Sequence, residues 1–216
     1  MRTTEPVPPR ATEASAQVRT RFRVVAAETD EQTKSWRPRL AVILAADMVD
    51  YTRHMAEDEF GTHSRFTAIC RDVIEPGIGK HEARIVKNTG DGFLAEFSSA
   101  TRAVWFAVAA QDAIRTLNVR LPRRRRLEFR VGINLGDVIV EPHDVFGHCV
   151  NVAARLQALS RPGGVLVSYA VYASVRDRRL SFEDVGDLAL KNMNESVRSF
   201  RVRVRLPTMA SGLCRS

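Results

Sequence analysis

The stretch Arg84-Ile-Val-Lys-Asn-Thr-Gly-Asp-Gly-Phe-Leu-Ala-Glu-Phe97 constrains the fold more than any other part of the chain. It reads as strand, tight turn, strand: Ile85 to Lys87 run extended into Thr89-Gly-Asp-Gly92, and Phe93, Ala95 and Phe97 alternate with Leu94 and Glu96 on the way out. Glycines on both sides of Asp91 allow positive φ and close approach to the backbone, so the carboxylate at the hairpin tip can face a ligand. An isolated Gly-Asp-Gly is ordinarily only a turn. A second carboxylate, placed the same way earlier in the chain, gives it a different meaning.

That carboxylate is Asp47. It closes Leu40-Ala-Val-Ile-Leu-Ala-Ala46, an uninterrupted apolar run suited to a strand buried on both faces. A charge directly after such a strand needs a partner or a function, because an unpaired buried carboxylate is costly. From Met48 the pattern turns helical, with Tyr51, Met55, Phe60, Phe66, Ile69 and Val73 on one stripe, a break near Gly61 and a stop at Glu75-Pro-Gly77. Asp47 therefore stands at a strand-to-helix junction, where the amides of Met48 to Asp50 would be free to bind phosphate.

After the hairpin, Ser98-Ser99 caps a long helix with Ala103, Val104, Ala107, Val108, Ala110, Ile114 and Leu117 inward. Leu127 to Ile133 alternates as a strand, Asn134-Leu-Gly-Asp137 reads as a link, and Val138 to Val140 as a second strand. A loop over Glu141 to Gly147 leads to a helix from about Cys149 to Leu159, with Val152, Ala153, Leu156 and Leu159 inward. Val165 to Val167, Ser181 to Val185 and Val197 to Val204 read as strands, with a short helix from Tyr169 to Val175. The outline is α+β: a ferredoxin-like β-α-β-β-α-β core, a split βαβ sheet backed by helices, with an added α/β lobe. Residues 1–37 show no sustained period and read as a mobile arm, 38–205 as one domain, and 206–216 as a tail expected to fray.

Composition excludes several classes. With 216 residues, 27% charged and 44% hydrophobic, the chain suits one soluble domain with tails. No apolar run reaches the roughly 18 residues of a membrane span, and Met1 to Arg10 carry no apolar signal core, so a cytoplasmic protein is expected. The cysteines Cys70, Cys149 and Cys214 lack metal or disulfide spacing and read as free thiols. The excess of 33 basic over 25 acidic residues peaks at Arg123-Arg-Arg-Arg126, which reads as a solvated loop. No aromatic residues interleave it, so nucleic acid is not expected as a partner.

Two acids, one at a strand end and one on a neighbouring hairpin tip, can meet across adjacent strands and hold two divalent cations for phosphoryl transfer. Magnesium or manganese is expected, since hard cations take oxygen ligands. His54, His63 and His81 read as lying on the surface-facing side of the helical text, with nothing at ligand spacing.

With these residues in hand, the sequence resembles the class III nucleotidyl cyclases, the adenylate and guanylate cyclase catalytic domain, most closely the bacterial single-domain type. The resemblance runs from about Arg39 to Val204 and rests on four separated motifs: Leu-Ala-Ala-Asp-Met-Val, Arg-Ile-Val-Lys-Asn-Thr-Gly-Asp-Gly, Phe-Arg-Val-Gly-Ile-Asn-Leu-Gly-Asp-Val and Gly-His-Cys-Val-Asn-Val-Ala-Ala-Arg-Leu. It implies that Asp47 and Asp91 hold two metal ions, that Lys87 and Asp144 read an adenine base, and that Asn151 and Arg155 serve the transition state. It also implies a homodimer with two shared sites, converting ATP to 3′,5′-cyclic AMP and pyrophosphate, and Lys191 as a phosphate contact. A guanylate cyclase, or a homologue that only binds nucleotide as a regulator, stands as the alternative. Asp50 departs from the family, which usually has Gly there; it could repel the triphosphate, point to solvent or assist a metal. Ser196 replaces a common proline, a change expected to affect only a loop.

Overall fold

The computed structural model describes residues 38–141, 144–190 and 196–204. The mobile arm, the tail and Lys191 expected from sequence lie outside the described residues.

The apolar run extends at both ends into β1 (Arg39–Met48), so Asp47 lies inside the strand rather than after it. The hairpin is β2 (Arg84–Asn88) and β3 (Gly92–Phe97), and the stretch read as two strands and a link is one continuous strand, β4 (Phe129–Val140). The link disappears because β1 pairs with β4 without interruption from Arg39↔Val138 to Met48↔Phe129, satisfying the backbone of Asn134 to Asp137 in the ladder. The remaining strands are β5 (Val145–Phe146), β6 (Val165–Ser168), β7 (Leu180–Ala189) and β8 (Ser196–Val204), in the order β2-β3-β1-β4-β6-β8-β7 with β5 hairpinned onto β4. The first four of that order are the split βαβ core expected from sequence. Ser196 opens β8 and pairs with Ala189, so it belongs to the ladder and not to a loop.

The helical text between β1 and β2 differs most from expectation. It breaks at Asp58, between α1 (Tyr51–Glu57) and α2 (Glu59–Ile69), because the Asp58 side chain caps α2 by accepting from the Gly61 amide at 2.9 Å. The chain then passes through a π turn at Cys70–Ile74 and continues as α3 (Glu75–Lys80), straight through Pro76 and Gly77. Proline is tolerated there because it sits in the first turn of α3, just after the wider π turn. Phe60 is 89% exposed and does not join the core.

The two faces of the sheet are covered differently. Val42, Leu44, Ala46 and Met48 of β1 pack with Phe93, Ala95 and Phe97 against α2, α3 and the long helix α4 (Ala100–Asn118). Ala41, Ile43 and Ala45, with Leu94 and Val138, face Cys149 and Ala153 of α5 (His148–Leu159). Each large apolar side chain buried this way contributes roughly 1.5 to 3 kcal/mol. Leu117 and Leu159, expected inward at the ends of α4 and α5, are instead about half exposed, at 51% and 52%, the buried positions of those last turns being Asn118 and Leu156. A short α6 (Tyr169–Ser174) completes the added lobe.

What sets α5 so close to the sheet is Gly132. A Cβ there would fall 2.2 Å from the Gln157 amide and 2.3 Å from the Ala153 carbonyl oxygen. Asn134, buried in β4, donates to the Cys149 carbonyl at 3.2 Å and fixes the start of the same helix. Among the described residues no helix is long and apolar enough to cross a membrane.

Candidate active site

β1 delivers Asp47 to the α5 face of the sheet, because residues 41, 43 and 45 of the same alternation point there. Its ladder partners are Gly92 on one side and Arg130 on the other. The hairpin tip is tied to the end of β1 by the Met48 amide, which donates to the Asp91 carbonyl at 2.9 Å, and is closed by Thr89 N to Gly92 O at 2.9 Å. Gly90 takes the positive φ, 95°, whereas Gly92 is needed for space. A Cβ on Gly92 would lie 2.0 Å from the Ala46 carbonyl oxygen and 2.9 Å from the Asp47 Cα. The two half-buried carboxyl groups consequently lie close enough for Asp91 to act directly on Asp47.

Burial pushes the Asp47 carboxyl from 3.8 up to about 6; hydrogen bonding to Asp91 and the negative charge of Asp91 push the same way, and the Arg130 guanidinium opposes them. Such a pair asks for positive charge. The donor set, two carboxylates with no third His, Cys, Asp or Glu converging among the described residues, suits a hard cation that takes its other ligands from water and phosphate oxygens, as magnesium does. The residues present therefore fit divalent ions.

The raised value has a testable consequence for stability. Between 3.8 and about 6 the folded chain keeps a proton that the unfolded chain has released, so Asp47 makes stability fall as pH rises through that window. In chelator, Asp47→Asn is expected to be more stable than wild type at pH 8. Solvent screening of this partly exposed group holds the gain to about 1 kcal/mol, shrinking toward zero by about pH 4. Urea denaturation across pH measures it.

Arg130 is the residue that sequence reasoning missed. It lies directly across from Asp47, is half-buried, and its Nε has no hydrogen-bond partner among the described residues. The available signal was its place in Phe-Arg-Val-Gly, once β4 is registered against β1. The phosphate cradle expected from the turn amides is not formed as read: Met48 N is bound to Asp91 O, and Val49 N donates to Glu128 O at 2.8 Å. Asp50 adopts the left-handed conformation, φ 53°, which explains why glycine suits this position; its exposed carboxyl sits 3.6 Å from Arg53. Of the three fates open to it, pointing to solvent is the one observed. His54, expected at the surface, is 4% exposed.

A second cluster forms on the same face. β2 carries a bulge at Val86, between the pairs Ile85↔Ala95 and Lys87↔Leu94. Without the extra residue Lys87 would share the α4 side with Ile85; the bulge turns it to the side of Leu94. There its Nζ donates to Asp144 Oδ2 at 2.7 Å and lies 5.9 Å from the Phe146 ring. The lysine holds the Asp144 carboxyl below its usual range, with the Val145 amide adding to the effect. Asn151 and Arg155 sit four residues apart on α5, outside its buried positions Cys149, Val152, Ala153 and Leu156. Arg155 is half-buried and has no salt bridge among the described residues. Asp91 and Arg130 are the charged groups that shift Asp47, and neither Lys87 nor Arg155 is among them. Among the described residues no salt bridge joins the carboxyl pair to Lys87 or Arg155 within one chain.

Residues 40–203 match the family model described as the adenylate and guanylate cyclase catalytic domain. The chain belongs to this family. A Rhizobium meliloti protein named "Putative adenylate cyclase 3" is 47% identical over 165 residues, 76% of this chain and 28% of that protein. An adenylate cyclase of Streptomyces griseus is 33% identical over 152 residues, 68% of this chain and 35% of that one. The cyclase domain thus spans about a third or less of the length of both relatives. Among solved structures, an adenylate/guanylate cyclase/hydrolase from Silicibacter pomeroyi superposes with a TM-score of 0.72 at 39% identity, over 79% of this chain and 99% of that one. The cyclase fold and the α+β core are therefore shared.

Proposed function

We propose that this domain is an adenylate cyclase, converting ATP to 3′,5′-cyclic AMP and pyrophosphate in a homodimer with two shared sites. The observation that carries the proposal is the convergence of Asp47 and Asp91 at the strand end, with Arg130 facing them. Two magnesium or manganese ions held by these carboxylates would supply Lewis acidity, lowering the pKa of the ribose 3′-hydroxyl and drawing charge from the leaving pyrophosphate.

The chain's own groups do the rest. Lys87 donates to adenine N1 and Asp144 accepts from the N6 amine, a complementary clamp already preassembled as an ion pair at 2.7 Å. Asn151 orients the ribose, while the Arg155 guanidinium, without a salt bridge among the described residues, faces the charge that develops on the α-phosphate. Arg130, whose Nε has no hydrogen-bond partner among the described residues, lies across from Asp47 and would offer its guanidinium to a phosphate oxygen. No salt bridge joins Asp47 to Arg155 among the described residues of one chain, which supports a second protomer bringing the arginine of one to the carboxylates of the other.

Purified protein given ATP and Mn²⁺ is expected to release cyclic AMP and pyrophosphate in equal amounts, read by chromatography. Nucleotide binding without either product would overturn the assignment in favour of a regulatory nucleotide-binding module. The purine is tested separately. Lys87→Glu combined with Asp144→Cys is expected to shift the ATP-to-GTP ratio of kcat/KM by roughly a hundredfold or more toward GTP, because mismatched buried donors and acceptors cost about 1 to 3 kcal/mol each.

A further inference from the structure

The arginine run, expected from sequence to be a solvated loop, borders a cavity. Pro122 starts a single 3₁₀ turn at Arg123–Arg125, which brings Arg124 and Arg125 up to the corner between α1 and α2. With Arg65 of α2 they line an open cavity of about 440 Å³, which His54 and Thr62 also border. That border is rigid: Thr62 is fully buried and its hydroxyl donates to the His54 carbonyl at 3.0 Å.

Charge and donors in the cavity are not balanced internally. The lining holds three guanidinium groups and two carboxylates, and of these Glu57 is already engaged by Arg53 at 3.1 Å while Asp58 accepts from the Gly61 amide at 2.9 Å, so Arg124 and Arg125 add positive charge beyond what the two acids balance. Arg65 uses its terminal nitrogens on Asp58 at 3.4 Å and Thr62 Oγ1 at 3.2 Å, while its buried Nε has no partner among the described residues. A buried donor without an acceptor is costly, and an arginine fork matches phosphate oxygens. The volume is that of a small-molecule site rather than of a lone inorganic ion.

We propose that the cavity between Arg65, Arg124 and Arg125 is a binding site for a small soluble phosphomonoester. The phosphate takes the three guanidinium groups, and the organic part occupies the remaining space beside His54 and Thr62. None of these residues belongs to the carboxylate pair or the Lys87–Asp144 clamp. The site nevertheless touches the segments that flank them. α1 follows β1 directly, and the 3₁₀ turn runs into β4 past Glu128, whose carbonyl accepts from Val49. A bound phosphate would tie together the two segments adjoining Asp47 and Arg130.

Glycerol 3-phosphate titrated into the full chain in 150 mM NaCl, followed calorimetrically, tests the proposal. Wild type and Asp47→Asn are expected to bind with the same Kd, since the site does not use the carboxylates. The doubly substituted Arg124→Ala/Arg125→Ala protein, altered only at exposed positions, is expected to bind at least tenfold more weakly. Arg161→Ala/Arg176→Ala, which removes the same charge from exposed positions elsewhere, is expected to bind as wild type. No saturable binding by wild type would overturn the proposal, as would binding unchanged by Arg124→Ala/Arg125→Ala, equal weakening in both double variants, or loss of binding in Asp47→Asn.

Discussion

Asp47→Asn is expected to lower ATP turnover at least a thousandfold, an effect of about 4 kcal/mol in the barrier, while changing ATP binding less than tenfold. The substitution is nearly isosteric and leaves the β1 ladder to Gly92 and Arg130 in place. It removes one of the two carboxylates that would hold the divalent ions, and Lewis acidity at the reacting oxygens is lost with them. Base recognition survives, because Lys87 and Asp144 belong to a cluster that does not act on Asp47. Single-turnover rates with ATP and Mn²⁺, set beside equilibrium binding of a non-hydrolysable analogue, separate the two effects. A loss of affinity with the single-turnover rate at saturating ATP unchanged would mean that the carboxylate acts in binding alone.

Gly92→Ala is expected to cost roughly 2 to 4 kcal/mol of stability and to remove activity as well. The added methyl would press on the Ala46 carbonyl oxygen at 2.0 Å, and a backbone atom in the middle of a ladder cannot step aside. β3 would have to part from β1, breaking the Met48 to Asp91 hydrogen bond that holds the two acids together. Gly90→Ala meets nothing within 4 Å and suffers only the strain of its positive φ, about 1 to 2 kcal/mol. Urea midpoints of the two variants should therefore differ in that order. Equal destabilisation would place the constraint in turn conformation instead of in the approach of hairpin to strand.

The parts of this molecule legible in its sequence are those written in local periodicity. Leu40 to Ala46 announces a two-face-buried strand, Ser99 caps α4, and the Thr-Gly-Asp-Gly turn announces the hairpin. The meeting of Asp47 with Asp91 followed from strand order in a split βαβ core, which the four-strand order β2-β3-β1-β4 shows. What stayed hidden depends on pairing across the chain. Asn134 to Asp137 carry turn-forming residues, yet β1 holds them extended. The bulge at Val86 leaves no mark in composition, though it decides which face Lys87 occupies. Arg130 looked like one polar position in an alternating strand until register set it opposite Asp47. Asp50 read as an extra charge beside the phosphates, but its backbone conformation is what the position demands, and its carboxyl turns to Arg53.

The shared site is tested most directly by mixing Asp47→Asn protein with Arg155→Ala protein, each inactive alone, and measuring cyclic AMP formation. Random exchange of subunits makes half of the dimers mixed, each with one of two sites intact, so recovery to about a quarter of wild-type activity is expected. A mixture no more active than its two parents would contradict a site built from the carboxylates of one chain and the arginine of another.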